Sequence, residues 1–149
     1  MKTKIYLGAD HAGFKLKEKI KEYLDLEEFD FEDLTRKYKE GDDYPDIAFE
    51  LGEKVVNAKA AGILVCGSGA GMSIAVNKVK GIRAIEAYNE LSAKLSKQDN
   101  DSNVLVLGSW LINEGKAIEI IRKWLKTEFS GLERHKKRIN KISRYEKKR

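Results

Sequence analysis

The chain has a single cysteine, a single proline and two histidines among its 149 residues, and it has no long apolar run. One cysteine, Cys66, excludes an internal disulfide framework and favours a reducing compartment. The longest apolar stretch, residues 60–66, is far shorter than the ~18 residues that a membrane span requires. Residues 1–4 run directly into an apolar segment without a small-residue cleavage site. We therefore expect a cytoplasmic protein without a membrane partner.

The basic excess of the chain is local. Residues 134–149 hold nine Lys or Arg and one Glu, whereas the rest of the chain carries 20 basic and 23 acidic side chains. Such a tail is typical of the solvated face of a final helix. It could also contact phosphate, nucleic acid or an acidic partner, and the composition alone leaves these alternatives open.

Short β-rich runs alternate with amphipathic helical patterns along the chain. Strands are predicted over residues 4–8, 29–31, 62–66, 82–87 and 103–107. Helices are predicted over 12–24, from Pro45 onwards, over 72–78 and 90–98, around 117–125 and from about 131. The pattern predicts one Rossmann-like, doubly wound α/β domain over residues 1–149, with a mostly parallel five-stranded sheet, helices on both faces and a basic C-terminal helix.

This architecture predicts where a ligand binds. In open parallel sheets, ligands bind in the crevice beyond the carboxyl ends of the strands. Two polar segments follow predicted strands there, Asp10-His11 after the first strand and residues 66–71 after the central one. The functional site is therefore expected at this edge.

Residues 67–71 form a glycine-rich turn that opens a predicted helix. Glycines let the backbone approach a ligand closely, and the free amides of the following helix favour an anion. A tight turn without a ligand is the simpler alternative. A dinucleotide fingerprint fails because Met72 occupies its sixth position, although Glu86 ends the next strand, where a ribose-binding acid would lie.

Cys66 directly precedes this turn. Amides at a helix start lower the pKa of a thiol, so we expect a thiolate near neutral pH that acts as a nucleophile or a general base. Ser68 could hydrogen-bond the sulfur or a substrate oxygen. A small buried hydrophobic residue is the alternative for Cys66. With no cysteine pair and no second histidine at ligand spacing, the sequence predicts no metal site.

Arg134 and Arg138 are four residues apart in the basic tail. Both guanidinium groups therefore share one helix face and could bind one phosphate together. Ordinary surface charge is the alternative.

Several motifs in the same order resemble those of the type B ribose-5-phosphate isomerase family, whose relatives include galactose-6-phosphate isomerase subunits. They are Gly8-Ala9-Asp10-His11-Ala12-Gly13-Phe14, Asp43-Tyr44-Pro45-Asp46, Cys66-Gly67-Ser68-Gly69-Ala70-Gly71-Met72-Ser73-Ile74-Ala75, Asn77-Lys78, Gly81-Ile82-Arg83-Ala84, Asn100 with Asn103-Val104-Leu105, and Arg134-His135-x-x-Arg138. The resemblance runs from the first strand to the C-terminal helix.

The resemblance implies an aldose–ketose isomerase without metal or cofactor that acts on ribose 5-phosphate through a cis-enediolate. Cys66 would move the proton between C1 and C2, assisted by Ser68. Amides of the turn would stabilise the developing oxyanion; they belong to Gly67, Ser68, Gly69, Ala70 and Gly71.

The resemblance also implies a binding pocket and an assembly. Asp10 would hold sugar hydroxyls near Tyr44, and three cationic groups, His11, Arg134 and Arg138, would bind the phosphate. The family forms homodimers or dimers of dimers with shared sites. Residues 98–103 precede a strand, so they lie at the edge away from their own Cys66 and would more easily reach a neighbouring subunit.

Two positions depart from the family pattern. Asp99 precedes Asn100 where the family usually has a histidine that opens the sugar ring, and Trp110 stands where members usually have a phosphate-binding arginine. An aspartate is a poor acid at neutral pH unless its pKa is raised. Asp99 is still expected to be catalytic, and Asn100 to bind the substrate. The alternatives are an isomerase of another sugar phosphate, or a non-catalytic protein that binds sugar phosphate or nucleic acid. We favour the isomerase, without a nucleic-acid partner.

Overall fold

The computed structural model describes residues 3–149. Met1 and Lys2, which belong to the segment 1–4 considered above, lie outside the described residues. Five strands are present: β1 (Ile5–Ala9), β2 (Phe31–Asp33), β3 (Ala61–Cys66), β4 (Ala84–Glu86) and β5 (Val104–Gly108). The helices are α1 (Phe14–Leu26), α2 (Tyr44–Ala58), α3 (Ala70–Val76), α4 (Glu90–Asn100), α5 (Glu114–Lys126) and α6 (Glu133–Lys147).

All strand pairs are parallel, in the order β2-β1-β3-β5-β4. The chain leaves β1 towards one edge of the sheet and leaves β3 towards the other. The two central strands β1 and β3 therefore flank the topological switch point, where parallel sheets bind ligands. This confirms the predicted doubly wound α/β fold.

Each face of the sheet is covered by its own apolar layer. One layer joins the sheet to α1, α4 and α5, with Trp124 at its centre, and the other joins it to α2 and α3 through residues such as Leu51 and Met72. The central strands β3 and β5 are buried along their whole length. A strand covered on both faces explains the continuous apolar runs in the sequence.

Strand β2 lies two residues later than predicted. Its last residue, Asp33, is buried and accepts a hydrogen bond of 2.9 Å from Nζ of Lys17, a side chain that is 0% exposed. Lys21 Nζ lies 2.9 Å from the same Asp33 oxygen. Because these two cations reach Asp33, the pairing of β2 with β1 is fixed at Ile5 and Phe31. Strand β4 is also shorter than predicted and α3 begins two residues earlier.

The C-terminal helix is present as predicted, but most of its apolar stripe is not covered. Leu132, Ile142 and Tyr145 are exposed, and His135 is the buried residue of α6. Within residues 3–149, none of the helices has the length and apolar character that crossing a membrane demands.

Candidate active site

Cys66 is the last residue of β3, and its buried thiol is held by the turn that follows. The amide of Gly69 donates to Sγ at 3.1 Å, and the amide of Met72 donates to it as well. The sulfur thus lies where β3 meets the first turn of α3, at the switch point. This is the position that the sequence predicted.

The expected depression of the thiol pKa is wrong. Burial raises the pKa of the Cys66 thiol above its ordinary value of 9.0, and the negative charges of Asp10 and Glu86 add to that effect. The two amide hydrogen bonds favour the thiolate but do not outweigh burial. The motif revealed the amides, whereas the depth of the sulfur and the carboxylates around it depend on the folded sheet.

The remaining turn residues surround the sulfur on the solvent side. Ser68 is exposed, and its hydroxyl accepts a hydrogen bond of 3.3 Å from the amide of Ala70. Ser68 is therefore open to a ligand, while the amides of Gly69 and Ala70 already serve the side chains of the turn. Their predicted role at an oxyanion stays a prediction.

A different side chain covers each glycine of the turn. A Cβ built on Gly67 would lie 2.6 Å from the indole of Trp110, and one on Gly71 would lie 2.5 Å from the phenol ring of Tyr44. At Gly69, which has φ of +82°, it would lie 2.3 Å from the carboxyl carbon of Glu86. No other residue fits these positions without displacing one of the three walls.

These walls come from separate parts of the fold. They belong to Tyr44 at the start of α2, Glu86 at the end of β4 and Trp110 after β5. The amide of Trp110 donates to the carbonyl oxygen of Gly67 at 2.9 Å, so backbone and indole both hold that residue. The turn is thus enclosed by aromatic groups and one carboxyl group.

Asp10 and His11 lie beside the turn, after β1. Asp10 is buried, and its carboxylate accepts from the amide of Gly13 at 3.0 Å. Burial is the main cause that raises the pKa of Asp10. Asp10 lies at the predicted end of the strand, and its role in holding sugar hydroxyls stays a prediction from the resemblance.

The His11 imidazole is exposed and is oriented by a residue that the sequence did not single out. Asp42 Oδ1 lies 3.0 Å from Nδ1 of His11 and accepts from its amide at 2.8 Å. The hydrogen bond to Asp42 is the main cause that raises the pKa of His11. The ring is thereby kept cationic to higher pH, which suits an anionic group such as phosphate.

Other predicted site residues lie at the opposite edge of the sheet. Asp99 and Asn100 end α4, just before β5, and Val104 pairs with Gly62 at the start of β3. Cys66 lies four residue steps along β3 from Gly62, which at ~3.3 Å per step is about 13 Å. The structure therefore does not bring Asp99 or Asn100 to the thiol of the same chain.

The basic helix α6 lies next to Asp99, near the amino-terminal ends of the strands. Asp99 Oδ1 lies 3.8 Å from Nε2 of His135, whose Nδ1 lies 2.7 Å from the hydroxyl of Ser130. On the adjoining face of α6, Arg134 and Arg138 line one shallow cavity of ≈ 270 Å³ together with Lys137 and Lys141. The two arginines share a face, as their spacing predicted, and it belongs to the helix whose His135 contacts Asp99.

The sequence reasoning missed Glu86 as a neighbour of the thiol and missed the contact between Trp110 and Gly67. Three glycines in one turn were the available signal, because each must be approached closely by something. Which strand ends supply those groups depends on the strand order, and the order is not visible in the sequence. Across residues 3–149, no three His, Cys, Asp or Glu side chains cluster closely enough to hold a metal ion.

Comparisons with known proteins agree with this geometry. Residues 5–142 match the family model described as Ribose/Galactose Isomerase. The chain is 39% identical to ribose-5-phosphate isomerase B of Escherichia coli (strain K12), covering 98% of both chains. It is also 39% identical to the D-erythrulose-4-phosphate isomerase of Pectobacterium atrosepticum, covering 85% of each.

The same relationship holds in three dimensions. The crystal structure of ribose-5-phosphate isomerase B from Mycoplasma genitalium with bound ribulose 5-phosphate superposes with a TM-score of 0.94 at 41% identity. The match covers 100% of this chain and 99% of that one. The chain therefore belongs to the ribose/galactose isomerase family.

Proposed function

We propose that this sugar-phosphate isomerase interconverts ribose 5-phosphate and ribulose 5-phosphate through a cis-enediolate, with Cys66 as the general base. The observation that carries the proposal is the place of the Cys66 sulfur: it ends a central strand at the switch point, in a turn of amides, next to the strand end that carries Asp10 and His11. The relative with bound ribulose 5-phosphate supports the choice of sugar.

The reaction needs no external oxidant or reductant. The Cys66 thiolate takes the proton from C2 of the open-chain aldose, and the electron pair of that C–H bond forms the double bond of the enediolate. The resulting thiol returns its proton to C1, while the proton on O2 is transferred to O1. Exposed Ser68 is the side chain placed to assist this oxygen-to-oxygen transfer.

The raised pKa of Cys66 has two opposing effects on this step. It lowers the fraction of thiolate at neutral pH, and it makes each thiolate a stronger base towards a C–H bond. A C–H bond next to a carbonyl is a weak acid, so a basic thiolate suits this chemistry. Amides of the turn would then stabilise the oxyanion, and each well-placed donor contributes about 3 kcal/mol to such a transition state.

We further propose that two copies of the chain form each site. The thiol and the pair Asp99-Asn100 lie at opposite edges of one sheet, so a neighbouring copy would supply Asp99, Asn100, Arg134 and Arg138. Exposed apolar side chains on α3, on α4 and between β4 and α4 support such a contact: Ile74, Tyr88, Leu91 and Leu95. Leu91 and Leu95 are four residues apart and share one face of α4.

Asp99 is assigned the ring-opening step in this proposal. The step requires a proton on the ring oxygen, and Asp99 must hold that proton before it gives it up. A second candidate substrate is another sugar phosphate, which is favoured by Trp110 at the wall of the turn and by a relative that acts on erythrulose 4-phosphate.

The decisive experiment is Cys66→Ala, assayed for aldose–ketose conversion with a panel of tetrose, pentose and hexose phosphates. We expect loss of turnover on the sugar that the wild-type protein prefers. The thermal unfolding transition must remain, because a buried Cys→Ala change removes one small group only. Undiminished turnover in a folded Cys66→Ala variant would remove the mechanism.

A further inference from the structure

The carboxyl group of Glu86 lies against the Cα of Gly69. A Cβ on Gly69 would come within 2.3 Å of Cδ and 2.4 Å of Oε2 of Glu86. Glu86 ends β4, which is separated from the cysteine strand by β5. The carboxyl group therefore reaches across the end of β5 to the turn that holds the thiol.

One oxygen of this carboxyl group is buried without a hydrogen-bond partner. Among the described residues, Glu86 Oε2 is the buried side-chain oxygen for which the structure gives no donor. Tyr88 hydrogen-bonds the carboxyl group, and burial raises the pKa of Glu86. An unpartnered buried carboxylate oxygen is costly, so its retention beside the turn needs a reason other than stability.

Gly69 connects this carboxyl group to the sulfur. Its amide donates to Sγ of Cys66 at 3.1 Å, while its Cα rests on Glu86. A shift of the carboxyl group would move the donor that holds the thiol. The negative charge of Glu86 also acts on Cys66 and opposes its ionisation.

We propose that Glu86 is a positioning residue for Cys66: its carboxyl group holds Gly69, and with it the amide that donates to the sulfur. The negative charge of Glu86 also opposes ionisation of the thiol, and what this does for catalysis rests on the isomerase function proposed above. The Oε2 oxygen of Glu86 is buried and is not in contact with solvent. Glu86 therefore acts on the reaction indirectly, through Gly69 and Cys66. A thiol with a raised pKa forms less thiolate at neutral pH, but that thiolate is a stronger base. A stronger base is better suited to removing a proton from carbon.

The other titratable groups around the pair are few. Asp10 is the second carboxyl group that acts on Cys66, from the end of β1. Tyr88 bonds Glu86, and Tyr44 covers the next glycine of the turn. Helix α3 and strand β5 contain no titratable side chain. A change at Glu86 is therefore expected to act on Tyr88 and on Cys66.

The test is Glu86→Gln in the full chain, with Glu53→Gln as the matched control. Glu53 is exposed on α2, so this control makes the same chemical change away from the turn. The ionisation of Cys66 is followed by the ultraviolet absorbance of the thiolate, and each protein is corrected with its own Cys66→Ala counterpart, so that the change at Tyr88 cancels. Because the chain has one cysteine, the corrected signal reports a single site.

We expect the midpoint of the Cys66 titration to move to lower pH in Glu86→Gln and to stay at the wild-type value in Glu53→Gln. The pH profile of kcat/KM should change in the same variant, with more activity at the acidic end and a lower plateau at the alkaline end. A residue with a merely structural role would lower the melting temperature and leave both profiles in place.

The outcomes separate this proposal from the isomerase function. An unchanged thiol midpoint in an active Glu86→Gln enzyme overturns the role of Glu86. A shifted midpoint in a protein that turns over no sugar phosphate overturns the isomerase function and retains the link between Glu86 and Cys66. If Glu86→Gln does not fold, Glu86→Asp carries the test: its shorter carboxylate withdraws from Gly69, so the amide that donates to the sulfur is no longer held and the midpoint must move, and an unchanged midpoint there overturns the role.

Discussion

Trp110 occupies the space in which a side chain on Gly67 would lie, with Cζ2 of the indole 2.6 Å from the position of a Cβ. The ring is 75% exposed, so one face covers the turn and the other faces solvent. An indole offers a large apolar surface and no positive charge. The site therefore carries a stacking surface where the family resemblance predicts an arginine.

We expect the double variant Asp99→His with Trp110→Arg to turn over ribose 5-phosphate faster than the wild-type protein. The arginine restores a charge-assisted hydrogen bond to phosphate, which corresponds to about a tenfold gain in kcat/KM. The histidine restores a group that can donate a proton near neutral pH. Initial rates on the sugar-phosphate panel measure both effects. Trp110→Leu, which removes the ring without adding charge, should give no such gain, and equal rates for all three proteins would contradict the assignment.

The raised pKa of the Cys66 thiol predicts how turnover depends on pH. The active thiolate is a minor form at neutral pH, so kcat/KM should rise with pH through the neutral range and continue into the alkaline range. A pH–rate profile of the wild-type enzyme with saturating and limiting substrate measures this. Rates that are already level near neutral pH would mean that the working base is not this thiol.

Asp42 should control phosphate affinity through His11. The hydrogen bond that Asp42 accepts from His11 raises the pKa of the imidazole, so the cationic ring persists to higher pH than in a free histidine. In Asp42→Asn the imidazole should lose its proton at lower pH, and KM at neutral pH should increase several-fold while kcat changes little. Proton NMR titration of His11, alongside KM at several pH values, checks the two effects together.

Asp43→Asn is the matched control for that experiment. Asp43 is the adjacent carboxylate, exposed at the start of α2. Its substitution should leave the His11 titration in place. A His11 midpoint that is the same in Asp42→Asn and in the wild-type protein would show that the contact does not govern the ring.

Because of the buried pair of Lys17 and Asp33, the protein should become less stable as the pH falls through the acidic range. Although burial opposes ionisation, hydrogen bonds from Lys17 and Lys21 lower the pKa of Asp33. Its contribution to stability is therefore complete above the unfolded pKa of an aspartate and is lost as the pH falls through the lower folded value. Asp33→Asn should reduce the free energy of unfolding at neutral pH by about 3 kcal/mol, because it removes the buried anion of Lys17 and leaves only the partly exposed carboxylate of Glu18 beside it.

Denaturant unfolding at several pH values measures this loss, with Glu32→Gln as the control. Glu32 lies on the same strand and pairs with Lys4 at 3.5 Å on the exposed side. Exposed ion pairs contribute at most about 1 kcal/mol. Equal losses in the two variants would contradict the assigned importance of the buried pair.

The proposed sharing of sites predicts complementation between inactive variants. Cys66→Ala removes the thiol, and Arg134→Ala with Arg138→Ala removes the arginines that the other copy would supply. In a mixed dimer one site carries every defect and the other carries none, so an equimolar mixture should recover about a quarter of wild-type activity. Assays before and after mixing measure the recovery. A mixture as inactive as its components, although mixed dimers are shown to form, would place both groups in one chain.

Much of this molecule could be predicted from its sequence. The alternation of apolar runs and amphipathic stripes gave the order of strands and helices, and it therefore gave the edge at which Asp10 and Cys66 meet. The boundaries of β2 could not be predicted, because they depend on a lysine sixteen residues earlier that reaches Asp33 only in the folded chain. The local sequence pattern around β2 gives no information about a contact with so distant a residue.

The electrostatics of the site were the less predictable part. An amide turn next to Cys66 indicated a lowered thiol pKa, and the pattern contains no measure of how deeply β3 is buried. Glu86 lies twenty residues after Cys66, and only the strand order brings its charge to the turn. Competing effects of burial, amides and carboxylates have to be compared at known positions, and those positions come from the sheet.

The distance between the two edges of the sheet has a final consequence. Parallel strands are stiff, so no loop movement can carry Asp99 the length of β3 to its own thiol. Activity would then depend on how much protein is present, since only chains that have found a companion hold a whole set of groups. Dilution would therefore abolish the activity of such an enzyme without unfolding its chains.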